Sequence, residues 1–574
     1  MKNVKLITFL TLIFGMSIMT FAQSNSLPHL EKKGDVTRFI LNDKPFLMLG
    51  GELHNSSMGG AEFMRPIWKR MADANLNTVI ASASWELVEP IEGKYDFALV
   101  DSMILGARKE GLKLVVIWFA SWKNAASTYT PAWVKKDTKR FPLVKDEKGK
   151  ILNIISTLST EARDADARAF AALMKHIREI DQKNQTVIMV QVENEIGTLR
   201  TKRDFSDMAN SAFNGSVPSE LMSYLEKNKS NIHPGVLEAW KKQGFKMKGT
   251  WEEVFGKGER LENWKDMSYL TEELFMAWNY AKYVGKVAAA GKKEYNLPMF
   301  VNAWLKQPGN YGHAPGNYPS GGPTPQMIDV WRAGAPAIDF IAPDIYITDE
   351  WRYVCDSYTR SGNPLVIPET SAGEAGAARA FYTFGKYNTM LFSPFGIDGN
   401  GGFVFTVSPT DLLQMKDTYS VLKQLDPFIV EKQGSDNLKG LLVDLKNMVD
   451  SVTIGGYSIK GRLGRRFGGA ELAGVDIFGA APAATGSQPV PEQVGGAIII
   501  CTAPGEFIIS GRNMSIVFSP AIPNDTPNAS FLSLEEGRFV DNKWVTLQRL
   551  NGDEFLLALS KDKSKIFKVS MYQY

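Results

Sequence analysis

Cysteine is almost absent from this chain: Cys355 and Cys501 are the only two in 574 residues. They stand far apart and read as buried thiols, since a chain of this length has core enough to fold without disulfides. Histidine is nearly as scarce. His29, His54, His176, His233 and His313 never fall at metal-ligand spacing, so no metal or cofactor is expected. The phosphate-cradling Gly-Lys-Ser/Thr loop, the dinucleotide fingerprint and the Gly-x-Ser-x-Gly elbow are all missing. No charge block stands out, with Lys+Arg 65 against Asp+Glu 62. That balance argues against nucleic acid or an anionic membrane as partner and suits a neutral substrate. Internal repeats and heptads are absent too. Nothing in the sequence bears on oligomeric state.

One long apolar run is present, at the start. Leu6–Phe21 follows Lys2 and Lys5 and ends at Ala22 before a polar Gln-Ser-Asn-Ser. It is shorter than the ~20 residues a membrane span needs and reads as a secretory signal over 1–22. The expectation is export to the periplasm or beyond, with no membrane anchor after signal removal.

From there strand-like runs alternate with amphipathic stretches. Expected strands are Phe46–Gly51, Asn77–Ala81, Lys113–Phe119, Thr186–Val192, Met299–Ala303, Phe340–Tyr346, Leu365–Glu369 and Met390–Ser393. Helical patterns fall between them, at Phe63–Ala74, Phe97–Glu110, Glu161–Gln182, Thr271–Lys293 and Gly373–Tyr387, and Leu412–Leu425 reads as the last helix. Eight such alternations predict an α/β fold, a (β/α)8 TIM barrel over 23–430. Two connections, 198–265 and 305–325, are unusually long and follow strands, so both are expected over the catalytic face. After residue 430 the texture turns to short β-rich runs between Gly, Asn and Asp turns, which predicts a C-terminal β-sandwich over 431–574. Twelve of thirteen tryptophans lie in Trp68–Trp351. A sugar site wants aromatic faces, although most of these rings are expected in the core.

The chemistry sits at two strand ends. Val187-Ile-Met-Val190 runs into Gln191-Val-Glu-Asn-Glu-Ile-Gly197, and Pro364-Leu-Val-Ile-Pro368 runs into Glu369-Thr370. Two carboxyls at neighbouring strand ends are the minimal equipment for cleaving a glycosidic bond, one protonated and one ionised. Glu195 and Glu369 are therefore the catalytic candidates. Asn194 is placed to bind the hydroxyl beside the reacting carbon. Glu52 and His54 are candidate hydroxyl binders. Trp118, Trp122 and Trp304 could line the sugar pocket, with Asn302 just before the last; Trp118 and Trp122 fit the core equally well.

These segments resemble glycoside hydrolase family 35 β-galactosidases of the retaining (β/α)8 clan. Gln191–Gly197 is similar to that family's acid/base strand and Pro364–Glu369 to its nucleophile strand. Gly50-Gly-Glu-Leu-His54 and Trp85-Glu-Leu-Val-Glu-Pro-Ile-Glu-Gly-Lys-Tyr-Asp-Phe97 resemble its first- and second-strand motifs. The resemblance spans roughly 30–425. It implies Glu195 as general acid/base, Asn194 as its sugar-binding neighbour, Glu369 as nucleophile, and Tyr346 as a phenol that holds the nucleophile ionised. The tail looks like the accessory domain of a bacterial subgroup that includes xyloglucan-trimming galactosidases. The chain departs from the family after the third strand: Phe119-Ala-Ser-Trp122 stands where Cys-Ala-Glu-Trp is common. A carboxylate that helps recognise galactose thus gives way to Ser121, for which Lys123 and Asn124 could compensate. The implied activity is a retaining exo-β-galactosidase acting on carbohydrate without a cofactor. A related β-glycosidase (glucosidase, glucosaminidase or arabinopyranosidase), a non-catalytic sugar-binding barrel, and a barrel lyase or isomerase remain open at this level.

Overall fold

The computed structural model describes residues 26–258, 271–306, 314–347, 350–399, 406–463, 493–522, 528–550, 554 and 556–574. The expected signal segment 1–22 lies outside them, as does most of the Ala/Pro/Gly-rich stretch 479–496.

A seven-stranded parallel sheet forms the barrel. Its strands are β1 (Met48–Glu52), β2 (Thr78–Ser84), β3 (Lys113–Lys123), β4 (Val187–Asn194), β5 (Met299–Trp304), β6 (Phe340–Asp344) and β7 (Leu391–Phe392), in the order β6-β5-β4-β3-β2-β1-β7. The circle closes through residues 365–370. This eighth segment makes isolated parallel bridges on both sides, Ile345 with Thr370 and Ile367 with Phe392. Pro364 precedes it and Pro368 lies within it, and both lack the N–H groups a full ladder requires.

Helices follow the strands: α1 (Ala61–Asp73), α2 (Ala98–Lys109), α3 (Thr160–Asp181), α4 (Thr271–Glu294), α5 (Ile328–Gly334), α6 (Trp351–Tyr358), α7 (Gly373–Tyr387) and α8 (Pro409–Lys432). Their starts are chemically marked. Ser159 accepts a hydrogen bond from the Ala162 N–H, and Ser408 caps Asp411 ahead of Pro409.

Two apolar layers separate inside from outside. Phe39, Leu41, Met48, Ile80, Val115, Ile117, Phe119, Phe300, Phe340 and Val366 fill the lumen. Phe39 and Leu41 come from a hairpin (Val36–Leu41 with Lys44–Pro45) whose Asn42 and Asp43 both take positive φ, and this hairpin plugs the bottom. The outward residues of the strands, including Leu114, Val116, Trp118 and Trp122 of β3, pack under the helices.

Beyond α8 two antiparallel sheets face each other. One has six strands (438–444, 494–503, 506–512, 565–573, 529–540 and 543–549) and the other four (449–454, 457–463, 514–520 and 557–559). Leu441, Ile459, Ile499, Phe507, Met514 and Val569 lie in the core between them. The outer face of the six-stranded sheet joins the barrel's helical layer through Leu442, Ile498 and Ile508.

Candidate active site

The top of the barrel gathers four carboxyls and one ammonium. Glu52 comes from β1, Asp344 from the end of β6, Glu195 from just past β4 and Glu369 from the closing segment. One oxygen each of Glu195, Asp344 and Glu369 lies within 4.8 Å of the others. Geometrically these three could share a cation; the cluster holds no imidazole or thiolate, and its countercharge comes from Lys123.

The end of β4 is shaped by a bulge. Trp118 pairs with Val192, yet the next partners are Lys123 and Asn194, so β3 carries extra residues there. Glu193 fills the gap, its carboxylate accepting the N–H groups of Ser121 (3.2 Å) and Trp122 (2.8 Å). Glu193 and Glu195 both take positive φ, 62° and 46°, which turns the Glu195 side chain into the mouth. The Glu195 N–H donates to Asn302 Oδ1 at 2.9 Å.

Asn302 is the hub. The two hydrogens of its amide are shared among Asn194 Oδ1 (3.0 Å), Asp344 Oδ2 (2.8 Å) and Glu369 Oε1 (3.3 Å). Tyr346 donates its phenol hydrogen to Glu369 Oε2 at 3.0 Å. Asn194 in turn donates to Asn124 Oδ1 at 3.0 Å and accepts from Gln191.

Burial decides the protonation states. It pushes Glu195 up to about 8, helped by the charge of Glu369 and opposed by Lys123. Burial holds Glu52 and Asp344 well above the carboxylate range, with Glu369 the next contributor to both. Glu369 is also raised by burial, against which Lys123 and the Tyr346 hydrogen bond act. Both oxygens of Glu52 and Oδ1 of Asp344 are buried without a hydrogen-bond partner among the described residues. A cluster with one proton-holding carboxyl beside one hydrogen-bonded carboxylate can run acid and nucleophile chemistry together.

The structure thus brings Glu195, Glu369, Asn194, Asn124, Glu52 and Tyr346 together. His54 lies on the rim, its backbone N–H bonded to Asp398 and its ring 5.9 Å from that of Phe395. Trp304 ends β5, half-buried. Two expectations need correction. Trp118 and Trp122 do not reach the pocket. They share the outward parity of β3 and are fully buried, Trp118 bonded to Asp166 and packed on Phe170 of α3, Trp122 between Tyr280 and Tyr283 of α4. Ser121, which stands where the resembled family has a carboxylate, bonds Asp166 (2.6 Å) and Tyr283 (2.7 Å) behind the wall. The side chain that does reach the cluster from β3 is Lys123. Lys123 and Asn302 were named from the sequence without a place beside the glutamates, and Asp344 was not named at all. Asp344 ends an apolar strand just as Glu195 and Glu369 do, and that placement was the available signal.

Comparison with known proteins places this architecture. A family model described as Beta-galactosidase, of glycoside hydrolase group 42, matches residues 58–372. The chain belongs to this family. The number differs from the 35 of the sequence resemblance, and β-galactosidase is the description the two share. Residues 415–558 match a domain of unknown function, DUF5597. Among curated proteins, a β-galactosidase of Xanthomonas manihotis is 30% identical over 170 residues, 28% of this chain and 26% of that protein. β-Galactosidase-1-like protein 2 of Homo sapiens is 26% identical over 216 residues, covering 36% of this chain and 31% of the relative. The matches therefore span well under half of these relatives' length. Among solved structures, the β-galactosidase of Halorubrum lacusprofundi gives a TM-score of 0.44 at 16% identity over 66% of this chain and 58% of its own. That of Marinomonas ef1 gives 0.42 at 13% identity over 67% and 60%.

Proposed function

We propose that the protein is a retaining, exo-acting β-galactosidase in which Glu369 is the nucleophile and Glu195 the general acid/base. The observation that carries this is the approach of the two carboxyls, with oxygens within 4.8 Å. Retaining enzymes hold their carboxyls about 5–5.5 Å apart, whereas inverting ones need about 6.5–9.5 Å to seat a water. The environments support the division of labour. Glu195, pushed up to about 8, keeps a proton to give the departing glycosidic oxygen. Glu369, held by Tyr346 and Asn302, attacks the anomeric carbon. Glu195 then takes a proton from water as the glycosyl ester is hydrolysed. Asn194, Asn124, Glu52, His54 and Trp304 surround the space a terminal sugar would occupy.

The finer assignment is also part of this proposal. The four motif stretches favour the family 35 subgroup and terminal galactose on a plant-type polysaccharide such as xyloglucan. The names of the curated relatives agree on the sugar. The basic and apolar start of the chain supports export, and the change of texture after residue 430 supports a separate accessory role for the tail. Glu369→Ala is expected to abolish turnover of an aryl β-galactoside (at least ~10³-fold in kcat) with an unchanged circular dichroism spectrum. Wild-type-like turnover by this variant would remove the mechanism, and a panel of aryl glycosides identifies the sugar.

A further inference from the structure

Lys123 closes β3 beyond the bulge, where the chain turns back toward the lumen above Phe119. Its ammonium lies 5.9 Å from the centre of the Phe119 ring, at the top of the lumen. The backbone fixes it there. The Lys123 N–H donates to the Ala126 carbonyl at 2.8 Å, and Lys123 pairs in register with Asn194, one residue from Glu195. Charged or titratable groups face it from every neighbouring element: Glu52 from β1, Glu195 after β4, Asp344 from β6 and Glu369 from the closing segment. The Tyr346 phenol faces the same four carboxyls.

We propose that Lys123 is a positioning residue that fixes which carboxyl of this cluster carries the negative charge, holding Glu369 ionised while Glu195 keeps its proton. The proposal rests on the roles given to those two glutamates above.

Four buried carboxyls this close cannot all ionise, and one cation compensates one anion. The hydrogen bonds say which. Among the described residues neither oxygen of Glu52 has a partner, and Asp344 has one on a single oxygen only. Glu195 faces Asp344, itself a carboxyl, within 4.8 Å. Among the described residues Glu369 is the one of the four that receives a donor on each oxygen, Tyr346 at 3.0 Å and Asn302 at 3.3 Å. The ammonium therefore finds its anion at Glu369, and the site is neutral overall near neutral pH. A neutral pyranose enters such a site without an unmatched charge.

The test compares wild type, Lys123→Met and Lys123→Arg on an aryl β-galactoside across pH. In Lys123→Met the acidic limb of kcat/KM moves up by about one unit, so activity at the foot of that limb falls about ten-fold beyond any change at the plateau. Lys123→Arg keeps the limb within about 0.3 unit, because the charge is retained. A second reading needs no turnover. In potentiometric titration between about pH 5 and 7, Lys123→Met takes up about half a proton more than wild type, as a one-unit shift requires, and the excess vanishes in a Glu369→Gln background. An unmoved limb with unchanged proton uptake would overturn the proposal, as would an excess that survives Glu369→Gln. A merely structural lysine would lower activity without moving either. Loss of the two-glutamate mechanism would show instead as an active Glu369→Ala enzyme, and the titration would still decide the role of Lys123.

Discussion

At the scale of single residues, the account is about where one proton and one charge reside. Glu195 titrates near 8 in the fold, against about 4.5 when unfolded. Between those values the native state holds a proton that the unfolded chain has lost. Stability must then fall as pH rises through that window. Glu195→Gln removes the effect. We expect its thermal midpoint to exceed that of wild type by several degrees at about pH 7.5 and to approach it at about pH 5, while turnover is lost. Equal midpoints at both pH values would contradict the assigned protonation. The two glutamates were legible because each follows an apolar strand. Lys123 was less so. A strand buried on both faces reads as one continuous apolar run, which hides its parity. The bulge after Trp118 then breaks the alternation, since Ser121 turns behind the wall while Lys123 turns back to the lumen.

At the scale of elements, the barrel strands could be read almost to their ends, since each is an apolar run between helical patterns. The tail strands 438–444, 457–463 and 529–540 were not read, and each contains a glycine that looks like a turn. In the fold these glycines serve close approach. A Cβ on Gly440 would lie 2.5 Å from the Tyr382 carbonyl oxygen, one on Gly461 2.4 Å from Met514 Sδ, and one on Gly537 2.5 Å from the Trp544 ring. The same holds above the site. The two long connections expected over the catalytic face are tied together there, Thr198 and Ser320 exchanging backbone hydrogen bonds of 2.9 Å. Gly197, at φ +148°, fits under Pro319, where a Cβ would lie 2.4 Å from the proline Cβ. Gly197→Ala should displace this junction beside Glu195. The expected outcome is a loss in kcat/KM of at least about ten-fold with the chain still folded, measured by kinetics alongside circular dichroism. Wild-type kinetics would mean that the junction does not support the site.

At the scale of the whole molecule, the β-rich tail is packed against the barrel. A Cβ on Gly496 would stand 2.0 Å from the Ala378 carbonyl oxygen on α7, so sheet and helix meet backbone to backbone. Arg512, almost wholly buried, bonds Asp417 of α8 at 2.8 Å. Cooperative unfolding of both parts follows. Tryptophan fluorescence reports chiefly on the barrel, since only Trp544 lies in the tail, while far-ultraviolet circular dichroism reports on both. The two thermal transitions should coincide in wild type. In Gly496→Val, which overpacks the junction at a cost of about 1–3 kcal/mol or more, they should separate or shift down together by several degrees. Separate transitions in wild type would contradict a single cooperative unit.

The central claim is that Glu369 bonds to the anomeric carbon while Glu195 handles the proton, and covalent trapping tests it most directly. After incubation with an activated 2-fluoro-galactoside, peptide mass mapping should find one sugar on the peptide containing Glu369, with turnover lost in step with labelling. A label on any other carboxyl, or full turnover with no label on Glu369, would contradict the account.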